Sequence, residues 1–218
     1  MKALDRMRAS EPARRLRATA TRLRYPDARS PSEHWQRVEL NRAIDRYLSA
    51  LSTARLSAAE ISGSAHAERP WKAYTSLNYP DFDLCAPLEL EAGFDVVICE
   101  QVLEHVVDPF GAAQNLRGLC APGGHVVVST PFLVRVHELA AYGMHDYWRF
   151  TPRGLRTLLE RAGLQVDGVG AWGNRRCVSA NFDSWPAYRF WRALNNEPDL
   201  PVQVWAFARN TPGTHDSA

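Results

Sequence analysis

The sequence predicts an α/β protein built on a mainly parallel sheet, and three observations carry that reading. Residues 94–99 (FDVVIC) and 125–130 (HVVVST) are short, nearly continuous apolar runs, the mark of strands buried on both faces. Helix signals punctuate the chain between and after them. Pro109 opens one helical stretch to residue 119, and Thr151-Pro152 opens another that Gly163 closes. Strands therefore alternate with helices, which is the pattern of a sheet covered on both sides. At 218 residues the chain can bury one sizeable core and is short for two.

Taken in order, residues 1–24 are arginine-rich with two acids, Asp5 and Glu11, and read as a solvated basic arm or exposed helix. Pro26 and Pro31 mark a loop, after which Ser32 is placed to cap a helix running to about residue 53. Leu40, Ile44, Tyr47, Leu48 and Leu51 supply its helical spacing. A short strand at 56–61 ends in Ser62-Gly63-Ser64, and a second, at 72–77, stops near Pro80. Pro122-Gly123-Gly124 reads as a tight turn before HVVVST, which Pro131 ends. Residues 165–170 and 202–209 (VQVWAFAR) are the last two strands. Gly63 and Phe94 are only 31 positions apart, whereas a strand, a helix and their loops consume about 20 residues per unit. A helix between 64 and 94 is therefore expected to be shortened or replaced by loop. The predicted organisation is a basic helical extension at 1–55, an α/β domain at 56–210 and a disordered tail at 211–218.

A net charge of +2 gives no general reason to expect a nucleic-acid or membrane partner. The four cysteines form no C-x-x-C pair, which points to reduced, structural thiols and not to a disulfide frame or a zinc site. No stretch reaches the ~20 apolar residues that span a bilayer, and no apolar signal segment follows the basic N-terminus. A cytoplasmic protein is expected. In open parallel sheets ligands bind beyond the carboxyl ends of the strands, so the candidate site lies just after Ile61, Leu77, Cys99 and Thr130.

One ordered set of motifs is more specific. FDVVICEQVLEHVVDPFGAAQNLRGLCAPGGHVVVSTPF is followed by DYWRFTPRGLRTLLERAGL. This succession of FDVV, VLEHV, PGG, a strand ending in TP, and RFT-x-x-x-L closed by AGL resembles the class I S-adenosylmethionine (SAM)-dependent methyltransferases. The likeness is to the broad group that includes the ubiquinone-biosynthesis type. It covers roughly residues 56–210, most strongly after 94. It implies a Rossmann-like fold with an antiparallel last strand at 202–209, SAM as cofactor, and methyl transfer to an oxygen or nitrogen of a small-molecule acceptor, such as a specialised metabolite or modified sugar.

By the same resemblance, Glu60 matches the acid of the family's glycine-rich motif, and Gly63 is the one glycine kept in Glu60-Ile61-Ser62-Gly63-Ser64-Ala65. Asn78 stands where the family places a ribose-gripping acid, Asp83-Leu84 matches the pair that meets the adenine, and Glu100 and Gln101 follow the FDVVIC strand toward the cofactor. The thin glycine motif leaves two outcomes open: an unusual cofactor cradle, or a fold kept as a non-catalytic binding scaffold. A third reading is a metal-assisted RNA methyltransferase using the basic arm. A nicotinamide dehydrogenase is disfavoured, because G-x-G-x-x-G is absent.

His105, His137 and His145 are the candidate catalytic bases. His105 follows Glu104 in the VLEHV segment; the other two lie in a long connection, 131–150, that also carries Phe132, Tyr142, Tyr147 and Trp148. In some relatives an E-x-x-E-H pattern with a further histidine holds a divalent metal. Here Gln101 stands three before Glu104 and the glutamate is at 100, so no metal is expected. An aromatic-rich insert at 171–200 is expected to pack on the core or on a second copy of the chain, making a homodimer one partner to test. Asn174-Arg175-Arg176 could meet an anionic acceptor. Membrane and nucleic acid are not expected as partners.

Overall fold

Burial alternates along the central strands in a way that fixes the layers. In the computed structural model of the chain, which describes residues 33–89, 93–138 and 144–211, Val97 and Cys99 enter one core while Val96 and Ile98 enter another. A sheet with apolar side chains on both faces must be covered on both, and it is. The elements are a 3-10 turn at Trp35–Arg37, α1 (Val38–Ser49), β1 (Ser57–Ile61), β2 (Ala73–Leu77), β3 (Phe94–Glu100), α2 (Pro109–Leu119), β4 (Cys120–Pro131), α3 (Pro152–Arg161), β5 (Gln165–Trp172), α4 (Arg175–Asp183) and β6 (Gln203–Arg209). Six strands form one sheet in the order β2-β1-β3-β4-β6-β5. All pairings are parallel except those of β6, which runs antiparallel to β4 and β5.

Helices α2 and α3 cover one face, burying Ala112, Leu116, Leu155 and Leu159 against Val97, Val126 and Ala206. The other face takes Trp35, Leu40, Ile44 and Leu48 from the N-terminal elements, together with Cys177 of α4. Residues 38–49 are thus one layer of this core. The helix starts are capped: Asp108 accepts from the backbone N–H of Phe110 and Gly111, Thr151 from Gly154, and Asn174 from Cys177. Pro109 and Pro152 occupy the first turns, where their missing N–H costs nothing. The basic arm at 1–24, the loop with the Ser32 cap, Tyr142 and residues 212–218 of the tail lie outside the described residues.

Two local expectations change. Pro122-Gly123-Gly124 is an irregularity inside β4, not a turn preceding it. Gly123 takes a φ of 81°, and Asn210 brackets the kink by accepting from Gly123 N and donating to Gly124 O. Asn174-Arg175-Arg176 opens α4, and the Asn174 side chain serves as the cap. The expected loss of helix between β1 and β3 holds: residues 62–72 form turns, and no helix falls among the described residues from 78 to 93. Gly173, between β5 and α4, meets backbone: a Cβ there would stand 2.0 Å from Leu200 O and 2.5 Å from Val202 N. Gly173→Ala is accordingly expected to destabilise the protein by about 2–3 kcal/mol, the upper range for overpacking, read as a lowered urea midpoint at unchanged m-value.

Candidate functional site

Only two non-glycine residues among those described hold a left-handed backbone, and both lie just beyond a sheet strand: Ser62 after β1 (φ 52°) and Gln101 after β3 (φ 58°). β1 and β3 are neighbours in the sheet, and the chain leaves β1 for β2 on one side and β3 for β4 on the other. That divergence opens the crevice where α/β sheets take ligands, and strained backbone concentrates at such places. A cleft of about 700 Å3, including its open mouth, occupies it, with Ser62, Asp83, Leu84, Val102, His105 and Tyr147 in its wall.

The loop carrying Asp83 and Leu84 is fixed from both ends. Asp83 Oδ1 accepts from Cys85 N at 2.8 Å, closing a local turn. Asn115 of α2 donates to Leu84 O and Ala86 O, each at 2.8 Å, and Leu84 is 3% exposed. Asn115 had no motif to announce it, only a polar side chain on a helix whose other inward positions are apolar.

Glu60, Glu100 and Gln101 have partners within the protein, and Gly63 packs beside one of them. Glu60 is buried, and its carboxylate accepts from Ala65 N, His66 N and the Tyr74 hydroxyl, so it closes the loop after β1. Gly63 makes room for that carboxylate: a Cβ would stand 2.8 Å from Glu60 Oε1. Glu100 receives hydrogen bonds from Arg37 and, at 2.6 Å, from His66 Nε2. Burial pushes its carboxyl up, but those two partners outweigh it and bring it down to about 2. Gln101 ties β3 to β4, its N–H donating to Ser129 O and its Nε2 to Ser129 Oγ. Asn78 is bonded to Ser76 and lines a neighbouring recess that shares Asp83 with the main cleft. Of the cofactor candidates, Asp83 and Leu84 line the cleft itself.

Of the candidate histidines, His105 lines this cleft. His105 Nδ1 faces the carbonyl of His145 at 2.8 Å; a carbonyl can only accept, so Nδ1 carries the proton and Nε2 presents a lone pair. Nε2 points toward Glu104, 3.9 Å from its Oε1. Glu104 is fully buried, neither carboxylate oxygen has a hydrogen-bond partner, and burial raises its carboxyl to about 8. His137 packs edge-on to His105 with ring centroids 5.0 Å apart. Burial shifts His137 toward its neutral form, against the pull of Asp146. Asp146 accepts from His137 N at 2.8 Å, stands 3.1 Å from its Nδ1 and is held by Arg149. The His145 side chain is 56% exposed and turns to Glu138, so this residue meets the site through its backbone carbonyl. Tyr147 N and Trp148 N both bond to Glu104 O, and Trp148 Nε1 to Val106 O, which pins this connection over the end of β3. In the aromatic insert, Trp172 and Tyr188 join the core, Trp185 packs on His137, and Phe182, Phe190 and Trp191 are exposed; none lines the cleft.

A parallel sheet with one reversed strand, layered by helices and opening a cleft at the β1/β3 divergence, defines the fold of the class I SAM-dependent methyltransferases. The chain belongs to the methyltransferase-domain family, whose model matches residues 12–169. It is 35% identical over 150 residues to a ubiquinone biosynthesis O-methyltransferase of Cupriavidus pinatubonensis, covering 62% of this chain and 55% of that one. A Vibrio cholerae protein of the same name is 33% identical over 89 residues, 35% of this chain and 36% of its own. The chain thus spans about half, or less, of the length of these curated relatives. The solved structure of an S-adenosylmethionine-dependent methyltransferase from Mesorhizobium loti shares the fold at 17% identity, with a TM-score of 0.50 over 80% of this chain and 97% of that one. Among the described residues no helix is long and apolar enough to cross a membrane.

Proposed function

We propose that the chain is an enzyme that moves a methyl group from SAM to a hydroxyl oxygen of a small-molecule acceptor. The observation that carries this reading is the cleft itself, whose lining brings the carboxylate of Asp83 and the apolar Leu84 together with the imidazole of His105. The residues present fit the adenosyl part of SAM. Asp83 offers a carboxylate to an amino group, and Phe82, Leu84 and Val102 offer an apolar slot. Bound SAM supplies an electrophilic methyl on a sulfonium sulfur.

The protein's part is to align the acceptor, exclude water and take up the hydroxyl proton. His105, which lines the cleft, is the group we assign to take that proton. The names of the curated relatives, which are O-methyltransferases, favour oxygen over nitrogen. The loss of the helix after β1, with Glu60 engaged internally, favours a second reading, a scaffold that has kept the fold without the cofactor.

Calorimetric titration with SAM and S-adenosylhomocysteine separates the two. Micromolar binding is expected, weakened about 10- to 100-fold in Asp83→Ala, since a hydrogen bond to a charged group contributes about 1.5–3 kcal/mol. Failure of the folded protein to bind either compound would leave the scaffold.

A further inference from the structure

We infer that the groove between α2 and α3 is a docking site for a partner protein, filled by an acidic helix with an apolar edge. It lies outside the cofactor cleft and goes beyond the methyl-transfer reading. The groove encloses about 1050 Å3, including its open mouth, and Phe110, Trp148, Phe150, Arg153, Leu158 and Arg161 line it.

Its apolar part is built from rings that stand in water with no polar reason to be there. Trp148 is 40% exposed, yet its Nε1 donates inward to Val106 O at 2.9 Å, so the indole's one donor is already satisfied by the protein. Phe110 is 54% exposed, and its backbone N–H is held by the Asp108 cap at the start of α2. Aromatic rings on fixed backbone, with arginines beside them, have the composition of interface anchors, and they lose little conformational freedom on binding. A bilayer is flat and takes protruding side chains. A groove takes a ridge, and a helix laid along it is such a ridge.

The groove sets the length of that ridge, and its charges set the sign. Arg153 and Arg161 belong to α3 and stand about 12 Å apart along its axis at about 1.5 Å per residue, a little over two helical turns. Both are exposed, and neither has an acidic partner among the described residues. Arg156, between them, is paired with Glu160 at 3.2 Å. An apolar groove with an unpaired cation toward each end matches a helix with apolar residues at i, i+4 and i+7 and acids on both flanks. The charges steer such a partner and fix its register.

The same two chain segments border the cofactor cleft. Val107 and Tyr147 line the cleft, whereas Phe110 and Trp148 line the groove. The backbone N–H groups of Tyr147 and Trp148 both bond to Glu104 O, which ties the segments together. A helix seated in the groove therefore stands at the rim of the cleft.

The test is fluorescence anisotropy of the full chain with a labelled, stapled peptide of Leu, Ala and Glu, with Leu at i, i+4 and i+7 and Glu on both flanks. The same peptide with Lys in place of Glu is the control. Saturable binding of the Glu peptide is expected, with none of the Lys peptide. Affinity is expected to fall at least about tenfold in Trp148→Ala and in Arg153→Glu combined with Arg161→Glu. Raising salt from about 50 to about 500 mM is expected to weaken binding at least about threefold, as screening shortens the reach of the charges. Far-UV circular dichroism checks the fold, and the exposed charge reversal decides if Trp148→Ala does not fold. No saturable binding of the Glu peptide up to about 1 mM, or equal affinity for the two peptides, would overturn the proposal. Equal affinity of wild type and charge reversal for the Glu peptide would do the same. Co-sedimentation with phosphatidylglycerol vesicles but no peptide binding would make the groove a lipid-facing surface and overturn it. A dimer dissociated by Phe110→Ser would put a second copy there and overturn it likewise.

Discussion

His105→Ala is expected to lower kcat by about 10²- to 10⁴-fold with a hydroxyl acceptor, the range for losing a group that handles the transferred proton. The expectation follows from the tautomer. With Nδ1 bonded to the His145 carbonyl, Nε2 is the one lone pair that this residue offers; it lies 3.9 Å from the buried Glu104, and the ring lines the cleft. His105→Gln is expected to fall as far, because an amide takes no proton at neutral pH. His145→Ala is expected to change kcat by no more than about twofold, since it keeps the carbonyl and removes an exposed side chain, and exposed substitutions cost about 0.5 kcal/mol or less. Steady-state kinetics of the three variants with one acceptor decides. A His145→Ala loss as large as that of His105→Ala would mean that the imidazole of His145, and not its carbonyl, does the chemistry.

The contrast between these two histidines shows where sequence reading reaches its limit. The strands and helices were legible because each is a local pattern: FDVVIC and HVVVST are apolar enough to be strands on their own, and Asp108-Pro109 and Thr151-Pro152 are local start signals. The shortened segment after Gly63 was legible because it is arithmetic on chain length. α4 was missed, since its cap at Asn174 sits beside two arginines in a stretch dominated by aromatics. The site was harder because a strand end fixes where a residue is but not which neighbour will engage it. Glu100 is claimed by Arg37, 63 positions earlier, and His66, 34 positions earlier. Glu60 is claimed by the loop it closes and by Tyr74. After β3 the chain runs through turns, where side-chain spacing along the sequence does not report proximity. His137 comes to rest beside His105, ring centroids 5.0 Å apart, from the connection that Trp148 and Tyr147 pin to residues 104 and 106. His66 and Arg37 carried no sequence signal at all.

Glu100→Gln is expected to destabilise the protein by about 3 kcal/mol at neutral pH, equivalent to lowering Tm by about 6–12 °C for a chain of this size. The carboxyl stands near 2 in the folded protein and near 4.5 when unfolded, and each unit of difference is worth about 1.4 kcal/mol. Because the folded value is the lower one, this stability is fully present above pH 4.5 and is lost as the pH falls through the window to 2. Wild type and variant should therefore differ by the full amount at pH 7, converge between pH 4.5 and 2, and coincide below it. Other carboxylates, Asp95 and Asp146 among them, also have lowered values, so it is the difference between the two proteins that isolates Glu100. The substitution keeps the size of the side chain but leaves His66, nearly wholly buried, and Arg37 without their shared anion. Urea denaturation of both proteins across pH measures the difference directly. Unchanged stability with lost SAM affinity would return Glu100 to the cofactor contact that the family resemblance implies. Lost stability with SAM affinity intact at temperatures where the variant is folded would fix it as the anion that fastens α1 and the loop after β1 to the end of β3.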